Sequence, residues 1–270
     1  MTTVQPMLRR AAEGAAITLV AAALAALMLI AGCATRRPGL QAPDVLTAPY
    51  KNVQGDVLWA VAPLANESGV SFVDTGAFAD QIVAKIDEVR GLSCLPLNRT
   101  LAAMRARGMR AITSPNDARV LADTLGVDGL VVGTITSYDP YDPPKIGLKL
   151  ALFARNPGVE TPQMDPMRLQ CSYTEQDRIM AQQMFLAKPV ATVSEHFDAA
   201  NHGVLMELRS YARGRCEPDS ARGWQSITQS MDLYTQFAAH AAVSRLIDQE
   251  RLRLGEAPRT TVTADGSTGH

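Results

Sequence analysis

The sequence predicts an α/β fold, a mixed sheet of about four to five strands packed against helices and closed by a long C-terminal helix. Three observations predict it. Short apolar runs that read as strands recur at residues 57–64, 92–97, 128–136 and 145–153. Between them lie stretches of helical period, at residues 75–89 and 114–126. The last long stretch, residues 220–254, carries apolar residues at three- and four-residue intervals. Sheet runs alternating with amphipathic helices are the pattern of a layered α/β domain.

What precedes the domain decides where the protein resides. Arg9 and Arg10 are followed by an apolar run from Ala15 to Ile30, with Thr18 its one polar residue, the charge-then-apolar order of a secretory signal. A membrane-spanning helix wants about 20 apolar residues, and this run is shorter. The small pair Ala31-Gly32 meets Cys33 at once. Leu29-Ile30-Ala31-Gly32-Cys33 resembles the lipobox of bacterial lipoproteins. That resemblance implies a signal peptide over residues 1–32, cleavage before Cys33, and a diacylglycerol and an acyl chain on the Cys33 terminus. Each buried methylene of such chains contributes about 0.8 kcal/mol, which holds a domain at a membrane surface. An uncleaved N-terminal membrane helix is the other reading of the same run. Ala34, rather than an aspartate, follows the cysteine, which by resemblance to enterobacterial sorting implies the outer membrane, facing the periplasm.

Residues 33–55 read as the lipidated terminus and a flexible tether, because Pro, Arg and small polar residues occur there without period. The domain spans residues 56–254. Val57 to Leu64 is a nearly continuous apolar run, expected of a strand covered on both faces, and Ala65 to Gly69 is a loop. Phe78, Ile82, Ile86 and Val89 mark one face of a helix over 75–89 that Asp74 or Thr75 can cap. A second strand follows at Leu92–Leu97, and Asn98 can cap a helix through Met104. Ser114-Pro115-Asn116-Asp117 is a helix start with proline at the first position, and Ala118, Leu121, Ala122 and Leu125 form its buried stripe.

Asp128 to Thr136 is the clearest strand, and Ile146, Leu148, Leu150 and Leu152 alternate in an antiparallel partner. Tyr138 to Pro144 joins them as an irregular loop. From 155 to 188 Pro157, Pro162 and Pro166 punctuate an exposed excursion. Val190 to Phe197 is a strand, with Val193, Glu195 and Phe197 on one side. A turn from Asp198 to Gly203 leads to a helix over Val204–Arg213. The last element, about 220 to 254, places Trp224, Ile227, Met231, Tyr234, Ala238, Ala241, Leu246 and Ile247 on a broad apolar face. Residues 255–270 are small and polar and are expected to be disordered.

Val61-Ala62-Pro63-Leu64-Ala65-Asn66-Glu67-Ser68-Gly69, and the stretch from Leu121 through Gly126 and Gly133 to Thr136, resemble the opening strand and the helix–turn–strand of a group of bacterial envelope lipoproteins. That group includes the curli secretion channel subunit CsgG, the penicillin-binding-protein activator LpoB and the TolB amino-terminal domain. Phe197-Asp198-Ala199 fits the group's strand that ends in an aspartate. The resemblance covers roughly residues 56–155. It implies an assembly, docking or regulatory part of the envelope, with no catalytic residue carried over. A secretion-channel subunit is the alternative that the group suggests, although the proline-broken 138–188 region offers no pair of bilayer-crossing strands.

Composition and motifs exclude other classes. A net charge of −1 with 20% charged residues shows no basic excess, so no nucleic-acid partner is expected. No Gly-x-Ser-x-Gly elbow is present. His196, Asp198 and His202 across a turn invite a metal or acid–base reading, but surface or capping roles are favoured. Asp139 and Asp142 make an incomplete calcium site and read better as a stiff turn. His240 sits among alanines and reads as packed. Glycines 126, 129 and 133 precede no helix, so they make no phosphate cradle. Cys94 is expected to be a buried inert thiol, and Cys171 with Cys216 is the pair to consider for a disulfide. The expectation is a protein that is not an enzyme and holds no metal or cofactor beyond the lipid on Cys33. Its partners are the membrane through that anchor and an envelope protein or further copies of itself, with no small-molecule substrate identified.

Overall fold

The apolar run at Val57 forms strand β1 (Val57–Val61), and after Ala62-Pro63-Leu64 the chain rejoins the sheet as β2 (Ala65–Asn66). Proline cannot donate to a ladder, so the run divides there. The computed structural model describes residues 42–50, 56–155, 188–217 and 220–255. Cys33, Cys171, the signal segment 1–32, the C-terminal tail and nearly all of the 155–188 excursion therefore lie outside the described residues.

Helix α1 (Thr75–Asp87) follows, with Asp74 accepting from the Ala77 amide. Then come β3 (Leu92–Leu95), α2 (Leu97–Ala106), α3 (Pro115–Leu125), β4 (Gly129–Asp139), β5 (Lys145–Ala154) and β6 (Ala191–Asp198). Three helices close the chain: α4 (His202–Ala212), α5 (Gln225–Gln229) and α6 (Met231–Arg253). The sheet order is β3-β1-β4-β5-β6, with β2 beside β4. β1 lies parallel to both β3 and β4, whereas the β4–β5–β6 half is antiparallel. The expected mixed α/β architecture is thus the one observed.

Alternation sorts the strand side chains into two unequal cores. Trp59, Val61, Val131, Ile135, Leu148 and Leu150 join α1, α4, α5 and α6 in a large cluster. Ala60, Ala62 and Leu130 face the other way, against Met104 of α2 and Ala118, Leu121 and Ala122 of α3. Farther across that second face, Lys149, Thr192, Ser194 and His196 are exposed.

The start of α3 is the one expected. Ser114 accepts from the Asp117 amide at 3.1 Å, and Asp117 accepts from the Ser114 amide at 2.9 Å. Gly126 then ends the helix at φ 69°, a left-handed conformation that suits glycine.

Several boundaries differ from the sequence reading, each for a local reason. Ala65-Asn66 is not loop, because it pairs with Thr134 and Ile135. Pro96 stops β3 at Leu95, and α2 starts at Leu97, so Asn98 lies inside the helix and does not cap it. β4 continues through Tyr138 and Asp139, which pair with Ile146 and Lys145. Only residues 140–144 remain as the turn. Asn201 caps α4 by accepting from Gly203 at 2.8 Å, so the helix begins at His202. The terminal element is two helices: Ser230 is extended at φ −121° and ψ 117°, and its side chain accepts from Leu233 to start α6. Residues 42–50, read as part of the tether, are docked on the domain instead. Leu46 is buried, and its carbonyl accepts from the Arg90 amide at 2.9 Å.

Candidate functional site

The sequence candidates His196 and Asp198 come together at one end of the sheet, where β4 and β6 reach across β5. Register brings Ser137 of β4 opposite Gly147, and Gly147 opposite His196 of β6. With no side chain on the middle strand, Ser137 Oγ and His196 Nδ1 approach to 3.1 Å over it. A Cβ on Gly147 would overlap Thr136 Oγ1 and stand 2.6 Å from Ser137 Oγ and 2.9 Å from the Ser137 nitrogen. Gly147 is the close-approach glycine that makes the contact possible.

Asp198 shares the exposed strand face with His196, but its oxygens are engaged elsewhere. It accepts from the Ala200 amide at 2.8 Å and pairs with Lys145 Nζ at 3.3 Å. The Ala200 N–H, then Lys145 and His196, hold its carboxyl below the usual carboxylate range. His202 stands exposed at the first turn of α4. Among the described residues, no group of three His, Cys, Asp or Glu side chains is placed to hold a metal ion. A serine beside a histidine is the raw material of nucleophilic catalysis, which also requires a group orienting the base and donors for an oxyanion. Asp198, committed to Ala200 and Lys145, makes no such hydrogen bond to His196. The Ser137–His196 hydrogen bond links β4 to β6 across the strand between them.

Asp139 and Asp142 lie just beyond this pair. Asp139 Oδ1 accepts from the Tyr141 amide at 3.1 Å, so it shapes the turn. Phe72 stands edge-on to Tyr138 with ring centroids 6.0 Å apart. Phe72 is 69% exposed and Tyr141 79%, so aromatic surface crowns this end of the sheet.

The opposite end is built differently. The strap of residues 46–50 closes over the edge of β3, with the Ala48 amide donating to the Arg90 carbonyl at 2.9 Å. Arg251 of α6 donates to the Thr47 carbonyl at 2.8 Å. Tyr50 donates to Glu250 at 3.1 Å, with its ring edge-on to Trp59. Glu250 is 1% exposed, and Arg253 clamps its carboxylate through two bonds of 2.6 and 2.7 Å. Burial, and then the neighbouring Glu250, push the Tyr50 phenol far above its ordinary value. A cleft of about 280 Å³ opens beside the strap, lined by Asp44, Val45, Glu88, Arg215 and His240.

The cysteines divide as far as they are described. Cys94 is buried, and its thiol is pushed up to about 12 by burial and by Asp87. Cys216 is a free thiol. No helix among the described residues is long and apolar enough to cross a membrane.

Ser137 and Tyr50 are functional positions that the sequence pattern barely marks. Ser137 lies 59 positions from His196, and its one signal was a glycine inside an alternating strand. Tyr50 lies 200 positions from Glu250, and nothing local marks it.

No family model matches the chain, and no curated protein matches it. Solved structures similar in part include lipoprotein GNA1162 from Neisseria meningitidis, at 17% identity and a TM-score of 0.34, covering 57% of this chain and 91% of that one. The C-terminal domain of LpoB from Salmonella enterica is 11% identical at a TM-score of 0.32, over 38% of this chain and 76% of that one. The hypothetical protein CT253 from Chlamydia trachomatis is 11% identical at a TM-score of 0.37, over 73% of this chain and 98% of that one. At these scores the likenesses carry no argument about function.

Proposed function

We propose that the protein is a non-catalytic envelope lipoprotein, anchored through Cys33, whose α/β domain docks onto another envelope protein or onto copies of itself. The observation that carries this reading is the order of Arg9-Arg10, the apolar run to Ile30, and Ala31-Gly32-Cys33. The structure is compatible with it in a specific way: the chain leaving Cys33 meets the domain at a docked strap, so an anchor there would hold a folded body.

Intact mass and membrane fractionation of the native protein beside Cys33→Ser test the anchor. Acyl mass on the wild type and an unprocessed Cys33→Ser precursor support it; residues 1–32 retained without lipid in both sink it. Crosslinking and pull-down from wild-type membranes then identify the partner. The Ser137–His196 pair is the sharpest challenge to the non-catalytic part of the reading. Covalent labelling of Ser137 by a serine-directed fluorophosphonate, lost in His196→Ala, would overturn that part.

A further inference from the structure

We propose that the linked aromatics Phe72, Tyr138 and Tyr141 are the docking surface of the domain, and that they receive an extended, arginine- or lysine-bearing segment of a partner protein. The proposal rests on the docking reading and deepens it, by naming the surface used and the chemistry of the partner. One path of contacts joins the three side chains. Phe72 stands edge-on to Tyr138, and the next residue, Asp139, accepts through Oδ1 from the Tyr141 amide. Tyr138 is half-buried, whereas Phe72 and Tyr141 stay exposed in the folded domain. Exposed apolar side chains scattered singly are ordinary, but linked aromatics at one end mark a contact surface, where Tyr and Phe are enriched.

Both loops that carry these rings are held by hydrogen bonds within the domain. The Glu67 amide donates to the Ile135 carbonyl at 2.9 Å, pinning the chain after β2 to β4. Asn66 accepts from the Ser68 amide and donates to the Val70 carbonyl at 2.8 Å, and the Ser68 hydroxyl accepts from the Val70 amide. Asp74 then caps α1, so Phe72 sits in a segment fixed on both sides. In the other loop, the Pro144 carbonyl accepts from the Ala199 amide at 3.0 Å and closes the turn that bears Tyr141. Aromatic side chains on such a fixed frame lose little freedom on binding.

Charge selects the partner. Asp142 is exposed next to Tyr141 in the turn, and Asp232 is exposed in the first turn of α6. Burial, and then Asp232, push the Tyr138 phenol above its ordinary value, so that carboxylate lies near the ring. The stretches 65–74, 137–145 and 230–233 carry carboxylates at Glu67, Asp74, Asp139, Asp142 and Asp232. Their one cation is Lys145, whose ammonium is 3.3 Å from Asp198. The whole chain has a net charge of −1, so the negative sign is local to this end. An Arg or Lys stem lies along an aromatic face with its cation over a ring or against a rim carboxylate. The same sign repels anionic lipid headgroups and sets two copies of this surface against each other.

The test uses the full chain extracted from membranes in non-ionic detergent, with a fluorescent peptide of alternating arginine and proline, whose prolines keep it extended. Anisotropy should show binding that weakens as salt is raised, and none by the glutamate–proline counterpart. Phe72→Ser with Tyr141→Ser should weaken binding about tenfold. Asp142→Asn with Asp232→Asn should weaken it and flatten its salt dependence. Leu252→Ser, exposed in the last turn of α6, should change nothing. All five replaced side chains are exposed, so urea unfolding of every variant should match the wild type. Equal binding of the glutamate peptide, no binding of the arginine peptide, or wild-type affinity in the Phe72→Ser, Tyr141→Ser protein would overturn the inference. Self-association of the wild type that the same double variant loses would also overturn it, by making a second copy the occupant. Crosslinking in membranes reports the docking reading separately. A partner crosslinked equally to the wild type and the double variant keeps that reading and refutes this surface, whereas peptide binding with no crosslinked protein refutes the reading and leaves the surface standing.

Discussion

Replacing Gly147 by alanine adds one methyl group at the centre of the Ser137–His196 bridge. The new Cβ overlaps Thr136 Oγ1 and lies 2.6 Å from Ser137 Oγ, and either hydroxyl can rotate away. The Ser137 nitrogen, 2.9 Å off, cannot move without shifting the β4 backbone. Overpacking of this kind costs about 1–3 kcal/mol. The lost hydrogen bond to His196 adds about 1 kcal/mol. The smaller unfolded-state entropy of alanine returns about 0.4–1 kcal/mol. The net is a destabilisation of about 2 kcal/mol, which with a urea slope of about 2 kcal/mol/M lowers the midpoint by about 1 M. Unfolding is read from the fluorescence of the buried Trp59. Ser137→Ala removes the bond without the clash and should cost about half as much. Gly147→Ala with Ser137→Ala should remain less stable than Ser137→Ala alone, because the backbone clash persists. A Gly147→Ala midpoint no lower than that of Ser137→Ala would refute the argument that the glycine is there for close approach.

Tyr50→Phe keeps the ring on Trp59 and removes only the bond to Glu250; a loss of about 1–2 kcal/mol is expected in urea unfolding, with earlier proteolytic release of the strap. Ser114→Ala should cost about 1 kcal/mol by the same measurement, because it opens the capping box of α3. For Asp198 the folded pKa lies below the unfolded one, so its stabilisation is present above the unfolded value and is lost as the pH falls through the folded value. The gap in melting temperature between wild type and Asp198→Asn should therefore be open at about pH 6 and shrink toward about pH 3. A thiol pushed up to about 12 stays protonated at neutral pH, so Cys94 in the native protein should resist maleimide until urea unfolds the domain. Labelling of native Cys94 at the rate of a free thiol would contradict the burial assigned to it.

Periodicity made the sheet and its helices legible because burial repeats along the chain. Phe78, Ile82 and Ile86 are at most 3% exposed, at the spacing that predicted a helix. Ile146, Leu148 and Leu150 are wholly buried, at the alternation that predicted a strand. Local backbone chemistry was legible too, as the Ser114–Asp117 capping box shows. The break at Ser230 was not, since apolar residues continue on both sides and only the extended backbone there separates α5 from α6. Long-range polar pairs were the least legible. Tyr50 sits in a stretch rich in proline and polar residues, and what orders it is a carboxylate 200 positions away.

The two faces of the sheet differ in character. The large core runs the length of α6, with Tyr234, Phe237, Val243, Leu246 and Ile247 wholly buried along it. A helix buried over so many turns cannot pivot without opening that core, so whatever holds its C-terminal turn also positions its N-terminal turn. Arg245 adds a lateral fastening, reaching Glu207 of α4 at 2.9 Å and Glu195 of β6 at 3.5 Å. On the α2–α3 face Ala60, Ala62, Ala118 and Ala122 sit among Met104, Leu121, Val127 and Leu130, a smaller cluster with less apolar area to bury. Tyr50 at the strap and Tyr138 at the far end both pack against the large core that α6 spans, and Leu97 of α2 belongs to that core as well.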